Sequence, residues 1–177
     1  PFLRADKNRV ENFKSELRRT NKRRILGISW FGGSDRAGKT RLKDVELSQL
    51  AEKLCPKEHR LVNLQYGPVS TELELLQEKL GIEILTLSEQ NNYSDLDGLA
   101  ALMSACDEVV SVDNLNAHLA GALGISARIL LPCSPDWRWG QDGRSSYWHR
   151  SLKLYRQPAF FDWKTPLNEL ERDLSSF

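Results

Sequence analysis

The sequence lacks the features that would place it in a membrane, in a disulfide-stapled scaffold or on nucleic acid. No apolar run is long enough to cross a bilayer and no secretion signal is visible, so a soluble, cytoplasmic protein is expected. Cys55, Cys106 and Cys133 are odd in number, far apart and set among apolar residues. They match neither a zinc spacing nor a disulfide framework, which points to a reducing compartment. Net charge is nearly absent: 25 Lys and Arg stand against 24 Asp and Glu. That balance gives no strong global field. The basic stretch Arg18, Arg19, Lys22, Arg23, Arg24 has no interleaved aromatics for stacking bases. It reads as a solvated helix end, and no nucleic-acid partner is expected. Repeats and low-complexity tracts are also missing, and the chain opens at Pro1 rather than Met, as a piece cut from something longer would.

What is present suffices for one domain. A hydrophobic fraction of 40% with five Trp over 177 residues supplies a core, and a domain near this size buries roughly 70% of its unfolded surface. Val10, Phe13 and Leu17 recur at helical spacing and predict a lead-in helix within residues 1–22. Over residues 23–177, apolar strand-like runs then alternate with helical patterns. Strands are expected at Arg24–Trp30, Arg60–Tyr66, Ile82–Leu87, Glu108–Val112, Ala127–Leu131 and Leu152–Tyr155. Helices are expected around Val45–Leu54, from a capping box at Thr71–Glu74 to Leu80, from Ser94–Asp97 to Cys106, after Asp113, and at Leu167–Leu174. The alternation predicts an α/β fold: a parallel sheet with helices on both faces.

The segment Glu108–Gly124 carries the most chemistry. Asp113 and Asn114, both good N-caps, separate a buried β-branched strand from an Ala/Gly-rich helix ending at Gly124. Leu115, Leu119, Ala120 and Leu123 recur at helical spacing along that helix. In open α/β sheets such a turn presents free amides and the positive helix end to an anion. His118 lies on the first turn, where an imidazolium is disfavoured, so it should be neutral until a diphosphate arrives. A buried histidine with a backbone partner would look the same from the sequence. Asp113 could equally bind a substrate hydroxyl or cap the helix.

Competing motifs are weaker. Gly33–Thr40 fits G-x-x-x-x-G-K-[ST] letter for letter. However, Thr40 is followed by Arg-Leu-Lys-Asp instead of an apolar helix, so the context of a P-loop NTPase or kinase is poor. Asp95-Leu96-Asp97 resembles a metal-holding pair, yet Asp at a capped first turn is expected anyway. No metal and no cofactor are expected. His59 and His149 fall in polar segments and are expected at the surface. The loop with Trp137, Arg138, Trp139, Tyr147 and Trp148 could stack on a flat ring or a sugar, or cover an exposed sheet end.

Several segments in order, namely Phe2–Asp6, Gly27–Trp30, Leu61–Gly67, Glu108–Gly124, Pro135–Trp139 and Leu154–Gln157, resemble the carboxyl-terminal domain of heptosyltransferase-class glycosyltransferases. The likeness is to the version found behind tetratricopeptide repeats. The resemblance implies a Rossmann-like domain, one half of a GT-B fold, that binds a nucleotide-diphosphate sugar without metal. It places the family's Asp-Thr/Ser-x-x-x-His signature on Asp113, Asn114 and His118, with Leu115 where Gly or Ser is common. It sets Trp30, Lys39 and Arg41 along the cleft, and Gln65 and Gly67 near the nucleoside. The leaving diphosphate would be stabilised by helix amides, His118 and a cation from Lys39 or Arg41. The catalytic base and acceptor site would belong to an amino-terminal domain, so this piece would turn over poorly alone. A non-catalytic binding or scaffold module remains the alternative.

Overall fold

A strand buried on both sides sends alternate residues into two separate cores. The computed structural model, which describes residues 1–19, 23–32, 42–88 and 90–175, shows that pattern in six strands. They are β1 (Arg24–Ser29), β2 (His59–Asn63), β3 (Ile84–Leu85), β4 (Glu108–Val112), β5 (Ala127–Leu131) and β6 (Leu152–Arg156). The order is β3-β2-β1-β4-β5-β6, and every pairing is parallel. The helices are α1 (Lys7–Arg18), α2 (Leu47–Lys53), α3 (Ser70–Leu80), α4 (Leu96–Ala105), α5 (Leu115–Leu123) and α6 (Lys164–Leu174), with a 3-10 turn at Trp137–Trp139.

Leu26, Ile28, Leu61, Val110, Val112 and Leu130 face α2, α3 and α6. Ile25, Val62, Leu64, Val109, Ile129 and Leu131 face α1, α4 and α5. The result is the expected α/β Rossmann-like sheet covered on both sides. The lead-in helix α1 packs into the second core through Phe13 and Leu17, with Arg9 ion-paired to Asp95 and Arg18 to Asp107.

Local expectations are corrected in several places. On α5 the buried residues are Asn116, Ala117, Ala120 and Gly121, whereas Leu115 is exposed. Small residues let this helix lie close to the sheet, with Leu119 and Leu123 partly buried beside them. Leu96, the first residue of α4, is exposed as well. The Thr71 capping box is not used: α3 starts at Ser70 behind Val69, with no side-chain cap. The third strand shrinks to Ile84–Leu85. His59 is buried, its Nδ1 2.8 Å from the Leu54 carbonyl, and His149 is partly buried against α5. Asp95 does cap α4, accepting from the Gly98 N–H at 2.8 Å.

Candidate functional site

Strand order reverses between β1 and β4, and a crevice opens outside the carboxyl ends of strands at such a point. Two turns form its floor: Trp30–Gly32 after β1 and Asp113–Asn114 after β4. A network of buried amides and hydroxyls locks them together. Asn114 caps α5, its Oδ1 accepting from the Asn116 N–H (2.9 Å) and lying 2.9 Å from the Ser111 Oγ. Its Nδ2 donates to the Ser29 Oγ (2.7 Å) and the Phe31 carbonyl (2.9 Å). All four hydrogen-bonding positions of the amide are therefore used. Gln65 Oε1 accepts from the Ser29 hydroxyl and from the Trp30 and Phe31 N–H groups, at 2.9, 2.8 and 3.0 Å. Asn116 Nδ2 donates to the Leu64 carbonyl at 2.9 Å and ties α5 to the end of β2. Gly32 fits against this turn; a Cβ there would sit 3.2 Å from the Asp113 carbonyl.

Asp113 does not cap the helix. Its Oδ1 accepts from the Trp139 indole N–H at 2.7 Å, and its buried Oδ2 is ion-paired with Lys43 Nζ at 2.5 Å. Lys43 thereby cancels an anion that would otherwise repel a ligand phosphate. His118 is partly buried and stacks on Trp139, centroids 4.7 Å apart and planes 20° off parallel. Burial pushes its pKa down; Asp113 opposes that, while Arg138 and His149 reinforce it. The imidazole is thus neutral near pH 7. The Leu115 and Ala117 N–H groups, in the first turn of α5, have no intrahelical acceptor, and the Leu115 side chain points outward.

The remaining expected residues lie around this floor. Trp30 is buried in the core with its indole N–H donating to Glu72 at 3.1 Å, and Gln65 spends its carbonyl on the β1 turn. Gly67, at φ +91°, borders a cavity of about 570 Å³ at the carboxyl ends of β2 and β3, together with Tyr66, Asn91, Asn92 and Tyr93. There Asn92 Nδ2 donates to the Asn63 and Gln65 carbonyls, leaving its buried Oδ1 without a protein partner. Lys39 and Arg41, and the whole Gly33–Thr40 motif, lie outside the described residues. Among the described residues no three His, Cys, Asp or Glu side chains converge to hold a metal ion. A cavity of about 650 Å³ between residues 55–61 and 80–85 opens at the opposite, amino edge of the sheet, away from the strand ends that bind ligands in such folds.

Ser29, Lys43 and Ser111 were not singled out from the sequence. Two of them left a signal, because a lone serine inside a buried apolar strand needs a partner. Lys43 left none.

No family model matches the chain. In fold it is similar to Escherichia coli ADP-heptose LPS heptosyltransferase II, with a TM-score of 0.64 and 17% identity, over 99% of this chain and 55% of that one. It is also similar to a family 9 glycosyl transferase from Veillonella parvula, with a TM-score of 0.60 and 14% identity, over 88% and 42% of the two chains. These likenesses show the fold: a Rossmann-like domain similar in build to parts of two solved glycosyltransferases. In sequence it is 29% identical over 178 residues to protein FlbA of Caulobacter vibrioides, covering 99% of this chain and 29% of FlbA. The chain thus spans about half of the solved neighbours and under a third of FlbA. No helix among the described residues is long and apolar enough to cross a membrane.

Proposed function

We propose that this domain is the donor-binding half of a glycosyltransferase that takes a nucleotide-diphosphate sugar. The observation that carries this reading is the capped N-terminus of α5 at the β1/β4 switch point, flanked by neutral His118 and by Lys43. The diphosphate sits on the Leu115 and Ala117 amides, where the helix dipole favours an anion. The His118 N–H and the Lys43 ammonium complete its shell, and Lys39 and Arg41 remain candidate further cations. The nucleoside occupies the amide-lined cavity beside Gly67. Asn114, Ser29 and Gln65 shape the floor without touching the ligand.

The chemistry is direct displacement at the anomeric carbon. The sugar C–O bond to the diphosphate breaks as the acceptor oxygen attacks, and the nucleoside diphosphate leaves with the bonding pair. Donors already aimed at the leaving oxygens stabilise that charge without reorganisation, and no metal is required. The catalytic base and acceptor site belong to an amino-terminal domain of a parent chain, which can also carry tetratricopeptide repeats, so the isolated domain binds donor with little turnover.

Calorimetry against ADP-, UDP-, GDP- and CMP-sugars, with and without EDTA, tests this. One of them should bind with the same affinity in EDTA, and His118→Ala or Lys43→Met should weaken it by about tenfold. Nucleotide binding that requires magnesium and vanishes on Lys39→Ala would instead establish a P-loop site. Silence across the panel would leave a non-catalytic scaffold module.

A further inference from the structure

The loop after β5 carries two tryptophans that core packing does not explain. Trp137 and Trp148 are 71% and 59% exposed, yet both are held in place. Their rings meet edge to face, 6.2 Å apart at 81°. The Arg138 guanidinium lies 5.0 Å from the Trp137 centroid and is itself pinned to Asp136 at 2.6 Å. Between the two rings, Trp139, His118, His149 and Phe2 lies a cavity of about 260 Å³. Its inner wall is anchored to the crevice, because Trp139 bonds Asp113.

The floor is fitted rather than incidental. His149 lies so close to Gly121 of α5 that a Cβ there would run into its ring. Its Nδ1 is buried without a protein partner, and burial and the chain's amino-terminal charge both lower its pKa. Apolar walls with a few convergent polar atoms are the usual make-up of a small-molecule site. At this volume the space lies below the roughly 300–1,000 Å³ of drug-sized pockets and fits a single ring.

We propose that this cavity is a pyranose subsite. A sugar ring offers a C–H face, whose positive edges suit the negative face of an indole, and hydroxyls for the Arg138 guanidinium, which also lines the cavity. A nucleobase fits less well, since it needs several in-plane polar partners, and those line the separate cavity at β2 and β3. The assignment stands on the loop itself and requires no bound nucleotide. The ring can belong to a nucleotide sugar or to a saccharide acceptor.

Saturation-transfer NMR of this chain with the methyl pyranosides of glucose, galactose, mannose and N-acetylglucosamine tests the subsite. Saturation should reach the C–H protons of at least one pyranoside. Trp137→Ala and Trp148→Ala should each weaken binding about two- to tenfold, with Trp148→Phe intermediate and thermal unfolding unchanged. A second arm compares a nucleotide sugar with its nucleoside diphosphate. If the sugar adds affinity that Trp148→Ala erases, the ring is the donor's; if the ratio is unaffected while pyranoside saturation is lost, it belongs to the acceptor. Pyranoside binding without nucleotide binding would support the subsite and reject the donor-domain reading. No saturation of any pyranoside, or saturation indifferent to both substitutions, would overturn the subsite whatever nucleotides do.

Discussion

Asn114 shows how much one side chain can decide at this site. Asp is as good an N-cap as Asn, but Asn114 also donates to the Ser29 hydroxyl and the Phe31 carbonyl. Asn114→Asp would aim a carboxylate at that carbonyl, so it should destabilise the fold by about 1–3 kcal/mol although the cap survives. Denaturant titration measures this; a neutral result would show that the network is not structural. His118 makes a second residue-scale prediction. Burial holds its pKa down and an arriving diphosphate would raise it, so binding should take up a proton. Affinity for a nucleotide sugar should therefore rise as pH falls between about 8 and 5, and His118→Gln should flatten the profile. Calorimetry in buffers of different ionisation enthalpy reads the proton directly.

At the scale of elements, most of the architecture was legible. β1, β4 and β5 are mostly apolar, and near-continuous apolar runs are what a doubly covered parallel sheet demands. Helix faces were less legible. On α5 the helical spacing of Leu115, Leu119, Ala120 and Leu123 does not mark the buried face: Asn116, Ala117, Ala120 and Gly121 are buried, because close approach to the sheet rewards small side chains over large ones, and Leu119 is partly buried beside them. The site was legible in part. The β4–α5 turn announced itself through Asp113 and Asn114, whereas Lys43 and Trp139 reach Asp113 across the fold, which no local pattern encodes. The β6–α6 contact gives a prediction of its own. Burial alone would raise the Asp173 carboxyl, but hydrogen bonds from Lys153 and Tyr155 and the Arg144 charge reverse this and hold it at about 2. Its unfolded value is 3.8, so this stabilisation is complete above that pH and is lost as pH falls towards 2. Asp173→Asn should lower stability at neutral pH and flatten the acid-unfolding curve across that interval, as followed by circular dichroism.

On the scale of the whole molecule, the two cores share one sheet and α1 is part of the second core. Phe13 and Leu17 are buried there, each contributing about 1.5–3 kcal/mol to a total stability of roughly 5–15 kcal/mol. Removing residues 1–22 should therefore lower the melting temperature markedly and expose the apolar face of α4. Tryptophan fluorescence and far-ultraviolet dichroism should still report a single transition for the full chain. If the shortened chain melts where the full one does, α1 is a dispensable lead-in.

The amide ¹H–¹⁵N spectrum recorded during a nucleotide-sugar titration in EDTA bears most directly on the anion site. The Leu115, Asn116 and Ala117 amides should shift first and furthest, in step with the His118 ring. Shifts confined to residues 33–40, and seen only when magnesium is restored, would contradict the assignment of the diphosphate to α5.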